Sequence, residues 1–181
     1  MKKMLMILIV TTLAILPLNV NAESETVTLY MFESNTCSHC EQALNYIEQH
    51  LDEIPDNLEI MTYEVSENTD NAKLMNAVAE YLEVDTTTNF GTPFFVIGTE
   101  YNKGYVPGDW EDLFEIANDY IENGDYEDAV QEVISNENLE VEAQALEDIL
   151  NIPNPTVTII VYCVFGAIVL GFIALMVFGR K

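Results

Sequence analysis

The sequence predicts an α/β domain, and three observations carry that prediction. Val27 to Phe32 is apolar on both faces, as a strand covered above and below requires. It runs into a stripe at steps of three and four, Cys37, Cys40, Leu44, Ile47 and Leu51, the period of a helix with one face turned inward. Strand-like and helix-like segments then alternate until the run Phe94 to Ile97, which turns back on itself as a hairpin.

Taken in order, Thr26 to Phe32 is the first strand, with Val27, Leu29 and Met31 on one side and Tyr30 and Phe32 on the other. The helix after it ends near Leu51, because Pro55 and Asp56-Asn57 make a break. Leu58 to Val65 reads as a second strand and Ser66 to Asp70 as a polar loop. Asn71 to Leu82 carries Leu74, Met75, Val78, Tyr81 and Leu82 at helical steps. This strand-helix-strand-helix order predicts parallel strands joined by right-handed crossovers.

Thr86 to Asn89 is a polar turn, after which Gly91-Thr92-Pro93 opens the run Phe94 to Ile97. A proline at the head of an internal strand is tolerated because it removes no interior ladder bond. Gly98 breaks the run and Thr99 to Val106 forms the returning arm. Gly108-Asp109-Trp110-Glu111-Asp112 starts another helix, with Asp109 expected as the cap and acids in the first turn. Its apolar face is Leu113, Ile116, Ala117, Tyr120 and Ile121, and Asn123-Gly124 ends it. Tyr126 to Ile134 and Glu140 to Leu150 read as two acidic amphipathic helices that form a spacer between the domain and the C-terminal apolar segment.

The two ends have a different character. Residues 1–22 combine a basic start (Lys2, Lys3), an apolar stretch and the small-residue exit Val20-Asn21-Ala22, the pattern of a secretory signal. Residues 157–178 contain no charged side chain, enough at about 1.5 Å per residue to span the hydrocarbon layer as a helix. Arg180 and Lys181 come next, which places the C-terminus in the cytoplasm. The expected organisation is therefore a signal (1–22), a domain (23–124), an acidic helical spacer (125–152), a linker (153–156), a transmembrane helix (157–178) and a cytoplasmic tail (179–181). On this reading the domain faces outward from the cell membrane, tethered by a single pass. Between Glu23 and Asp148 only Lys73 and Lys103 stand against all 31 acids, a net charge of −29, and this sign excludes nucleic acid as a partner.

The chemistry lies in Cys37-Ser38-His39-Cys40. Two thiols three positions apart can close a disulfide within one helical turn, and a helix start favours the thiolate of the first. Cys37 falls at the helix mouth, where solvent or a partner can approach, and Cys40 lies one turn further in. Cys37 is then the nucleophile and Cys40 the residue that resolves a mixed disulfide. One thiolate pair with no second Cys/His cluster is an incomplete zinc site, so neither a metal nor a cofactor is expected. Cys163, within the apolar span, reads as a small apolar residue, and His50, at the helix end, as structural or exposed.

The order of elements, with Cys-x-x-Cys at the first helix and Thr92-Pro93 at the head of the third strand, resembles the thioredoxin superfamily over Thr26 to Ile121. That resemblance implies a thioredoxin-like fold, a mixed central sheet flanked by helices. It further implies a cis bond before Pro93, with Thr92 as the substrate-facing residue beside the sulfurs. The dipeptide Ser38-His39 is similar to the Pro-His of bacterial periplasmic disulfide oxidants and the Gly-His of protein disulfide isomerases. It differs from the Gly-Pro of reducing thioredoxins. His39 is accordingly expected to donate to, or electrostatically support, the Cys37 thiolate, which makes the disulfide a stronger oxidant. Met31 stands where thioredoxins carry a buried acid, and Glu33 and Glu41 are the nearby substitutes. The implied function is an extracytoplasmic, membrane-anchored thiol-disulfide oxidoreductase acting on protein thiols, leaning to oxidation or isomerisation. A separate redox partner must reset it, since one membrane helix with a lone cysteine cannot carry two electrons across the bilayer. The alternatives are an envelope thiol reductase for apocytochrome or metalloprotein maturation, and a non-enzymatic metal-binding or interaction module.

Overall fold

The structure, a computed structural model, describes residues 26–150. The expected signal, linker, transmembrane helix and tail, and Cys163, lie outside the described residues. The strand predicted at Val27 is present as β1 (Val27–Glu33), and α1 (Ser38–Gln49) comes after it. Then come a 3-10 turn (Leu51–Glu53), β2 (Leu58–Glu64) and α2 (Thr69–Tyr81). The hairpin β3 (Phe94–Ile97) and β4 (Glu100–Lys103) leads to α3 (Asp109–Asn123), α4 (Ala129–Glu137), β5 (Gln144–Ala145) and the short α5 (Leu146–Ile149).

The strands form one mixed sheet in the order β4-β3-β1-β2-β5. β1 is central, and its alternation divides the core in two. Leu29 and Met31 join Ile60, Phe95 and Ile97 on the face covered by α1 and α3. Tyr30 and Phe32 join Tyr63, Phe94 and Val96 on the face covered by α2 and α4. On the first face the buried Trp110 packs edge-on against Phe95, and its Nε1 donates to Ala43 O at 3.0 Å, fastening α3 to α1.

The first crossover gives a parallel pair, with Val27 opposite Leu58 and Glu33 opposite Glu64. The second does not, because β3 runs antiparallel to β1, with Phe32 opposite Phe94 and Leu29 opposite Ile97. The physical reason is the long connection 82–93, which carries the chain past the return that α2 makes and back to the end where β1 finishes. That reversal brings Thr92 and Pro93 to the mouth of α1.

Three local expectations also need correction. The helix expected from Asn71 begins at Thr69, because the Asn68 side chain caps it by accepting from the N–H groups of Asp70 and Asn71. The cap of α3 is Gly108, at φ 108°, and not Asp109. Asp109 instead accepts from Val106 N at 2.8 Å and Asn102 Nδ2 at 2.9 Å, closing the turn before the helix. Finally, Glu140 to Leu150 is not one helix: Gln144–Ala145 is a strand that pairs with β2, Met61 opposite Ala145 and Thr62 opposite Gln144, and only Leu146–Ile149 is helical.

The segment read as a spacer is therefore built into the body. Tyr126 Oη donates to Thr28 O at 3.0 Å, Tyr30 Oη donates to Asp128 Oδ2 at 2.7 Å, and Val130 and Val133 enter the core. Its later half is held by Asn71, only 1% exposed. The Asn71 amide donates to Glu64 O and Glu142 O and accepts from Glu142 N, at 3.0, 2.9 and 3.0 Å. Asn71→Leu strands these three backbone groups, and chemical denaturation should show a loss of roughly 2 kcal/mol or more. At the other end of the sheet Gly98 has φ +59°, and a Cβ there would stand 2.6 Å from the Tyr120 ring. Gly98→Ala should therefore lower the unfolding midpoint, at a cost of at least about 1–2 kcal/mol.

Candidate functional site

Cys37 is the N-cap of α1, with extended backbone, and its sulfur accepts from Cys40 N at 3.1 Å. The helix that packs Cys40, Ala43 and Ile47 inward thus starts on a sulfur. Cys37 and Cys40 are joined as a disulfide with their Cα atoms 5.3 Å apart. The two halves differ as the place of Cys37 at the helix mouth predicted: Cys40, one turn further in, is 1% exposed, whereas Cys37 is partly open. Cys37 Sγ lies 3.3 Å from Thr92 O, although 55 residues separate the two in sequence. The Thr92-Pro93 bond is cis and Pro93 is buried.

His39 points elsewhere than expected. Its ring is exposed and its Nδ1 donates to Tyr105 O at 3.2 Å, on the loop after β4. The hydrogen bond is thus to a carbonyl and not to the Cys37 sulfur. The contact closes one side of a cleft of about 470 Å³ shared by His39, Thr92, Gly104 and Tyr105. His50 is structural, stacked on Tyr46 with centroids 4.0 Å apart, its Nδ1 donating to Tyr46 O at 2.7 Å.

Of the two acids near the sulfurs, Glu41 is exposed in the first turn of α1. Glu33 closes β1 and is only 9% exposed. It lines the opening that holds Cys37 and Cys40, and Met31 behind it belongs to the core. Burial, and then the neighbouring Glu64 charge, hold the Glu33 carboxyl above its ordinary value. Glu64 behaves oppositely. Burial pushes it up, but bonds from Ser66 Oγ and from the N–H groups of Glu67, Ser66 and Asn68 outweigh that and leave it low. Among the described residues no group of three or more His, Cys, Asp or Glu is arranged to hold a metal ion. No helix among them is long and apolar enough to cross a membrane.

Sequence reasoning found both cysteines and the Thr-Pro turn, which the structure gathers at one point. It missed Tyr105 as the His39 partner, because a backbone carbonyl leaves no mark on residue type. It also missed Asn71, on α2, and Glu142 and Gln144, which line one opening with Glu33, the last two because the C-terminal segment folds back as β5.

No family model matches this chain, and no curated protein matches it. A structural-genomics crystal structure of an Agrobacterium tumefaciens protein resembles it at a TM-score of 0.41 and 16% identity. The likeness covers 56% of this chain and 48% of that one, so it spans about half of that protein and carries neither fold nor function to this chain.

Glu33 sets a testable pH dependence. Because its folded-state pKa lies above the ordinary 4.5, the folded form holds a proton that the unfolded chain releases first. Stability from this group is full below that ordinary value and is lost as pH rises through the raised one. Glu33→Gln removes the buried charge, so the variant should exceed the wild type in stability at pH 7. The gap should close below pH 4.5 in denaturant titrations at a series of pH values.

Proposed function

We propose that this chain is a thioredoxin-like thiol-disulfide oxidoreductase that exchanges disulfides with protein thiols outside the cell membrane, tethered by residues 157–178. The observation that carries the reading is the asymmetric pair: a disulfide with one sulfur open at a helix N-terminus and the other buried behind it. The resemblance drawn from the sequence is supported by the sheet order, the antiparallel third strand and the Thr92-Pro93 turn against Cys37.

Disulfide donation starts when a substrate thiolate attacks Cys37 Sγ. A new sulfur-sulfur bond forms to Cys37, and the electron pair of the old bond leaves on Cys40, which takes up a proton equivalent to the one lost when the substrate thiol ionised. A second substrate thiolate then attacks the substrate sulfur of the mixed disulfide, and the pair leaves on Cys37. The substrate dithiol becomes a disulfide, and two electrons rest on Cys37 and Cys40. A separate protein disulfide, in the membrane or outside it, must accept them to reset the enzyme.

The direction depends on how well the second leaving group is stabilised. Cys37 as a thiolate receives the Cys40 N–H and the positive end of α1, which favours the reduced form and so makes the disulfide oxidising. A titration against glutathione should give a potential near −120 to −180 mV, and a value near −270 mV would instead make the chain a reductase. In Cys40→Ser, client proteins should accumulate as covalent adducts on Cys37 that are released by reductant. The absence of any such adduct would remove the oxidoreductase reading.

A further inference from the structure

A second crevice adjoins the sulfurs. At the C-terminal ends of β1 and β2, where open α/β sheets place their ligands, Glu33, Glu64, Glu67 and Glu142 line an opening of about 500 Å³ with Asn35 and Gln144. Glu33 and Asn35 also line the opening at Cys37 and Cys40, so the two spaces are neighbours that share these residues.

Acidic side chains on so acidic a protein are ordinarily solvated, but Glu33 is not ordinary. It is nine-tenths buried, and its carboxylate takes no hydrogen bond from any described residue. No buried side-chain oxygen is fully enclosed without a partner, so that carboxylate is reachable from the openings that Glu33 lines. Glu64 opposite it in the ladder is already met by the N–H groups of Ser66, Glu67 and Asn68 at 2.7, 2.8 and 3.1 Å. A buried carboxylate without a partner costs free energy that an incoming cation would recover. The carboxylates line a wide space and do not converge on one point, which suits a guanidinium or ammonium on a flexible stem better than a bare metal ion.

We infer that this crevice is a subsite for a basic side chain of the substrate polypeptide, an arginine or lysine one to three residues from the cysteine that attacks Cys37. The inference rests on the oxidoreductase reading and narrows its substrate class to cysteines with a cationic neighbour. At about 3.3 Å per extended residue, one to three residues span roughly 3–10 Å of backbone, and Asn35, which lines both openings, marks the side on which they adjoin. Glu33 is the residue that gives the subsite its preference.

The test uses the oxidised full chain in detergent micelles and a set of dithiol peptides. Arginine, or its neutral isostere citrulline, is moved singly through the positions flanking the attacking cysteine. Reduction of the Cys37–Cys40 pair is monitored by acid quench and alkylation, and the arginine-to-citrulline rate ratio is compared within each protein. Arginine should be favoured about tenfold at one or two adjacent positions on one side of the cysteine. That ratio should fall to about twofold in Glu33→Gln and also decline in Glu142→Gln. An arginine advantage equal at every position and unchanged in Glu33→Gln reports only the overall negative field and overturns the subsite, as does no advantage at all, while exchange itself still stands. If no peptide of either kind reduces the pair, the oxidoreductase reading fails and the subsite fails with it.

Discussion

Every part of the site is referred to the C-terminal end of β1. That strand is buried on both faces and paired on both edges, so its register cannot slip without moving apolar side chains out of two cores at once. Its last residues therefore serve as a fixed datum. Four residues beyond it Cys37 caps α1, while Phe32 opposite Phe94 sets where Thr92 arrives. Glu33 opposite Glu64 sets where the acidic crevice lies. Sulfurs, the Thr92-Pro93 turn and the Glu33 and Glu64 carboxylates are thus aligned by the two ladders on the edges of one strand.

The C-terminal segment completes that frame from the other edge. β5 makes only two register pairs with β2 and would be weak by itself. What secures it is the Asn71 amide, which behaves like a backbone peptide inserted between β2 and the approach to β5. Tyr126 and Tyr30 supply the corresponding anchors across β1, and their buried hydroxyls are held well above the ordinary phenol range, chiefly by burial. Phenols that stay neutral at every working pH are suited to this structural task, because the clamp then does not loosen by their ionisation.

What was legible in the sequence was whatever periodicity and residue type encode. The alternation in Val27 to Phe32 named both faces of β1 correctly, and the place of Cys37 at the helix mouth with Cys40 one turn further in separated the open sulfur from the sheltered one. What was not legible depended on contacts between distant segments or on backbone atoms. The direction of β3 is decided by how far the 82–93 connection travels, and length alone permits either sense. Glu140 to Leu150 has apolar residues at helical steps, yet Gln144–Ala145 pairs as a strand because β2 offers an open edge there. His39 lost its expected partner for a similar reason, since Tyr105 O lies within reach once β4 has turned.

The electrostatics of the site work at two ranges that oppose each other. Thirty-one acids against two lysines disfavour any thiolate, yet most of those charges are solvated and are screened over roughly 10 Å at ordinary salt. The Cys40 N–H at 3.1 Å from Cys37 is inside that distance and is not screened, so the surroundings of the Cys37 sulfur are set locally while the distant field acts on whatever charged molecule approaches from solvent. Glu33 lines the same opening as the sulfurs, and burial holds its carboxyl pKa above the ordinary value with no described residue donating to it. By linkage, any cation that binds better to the ionised form must lower that pKa by the same free energy the ionisation contributes to binding. A basic client seated beside Glu33 would therefore complete the charge balance of the crevice while its own positive charge stabilises the thiolates that its oxidation leaves behind.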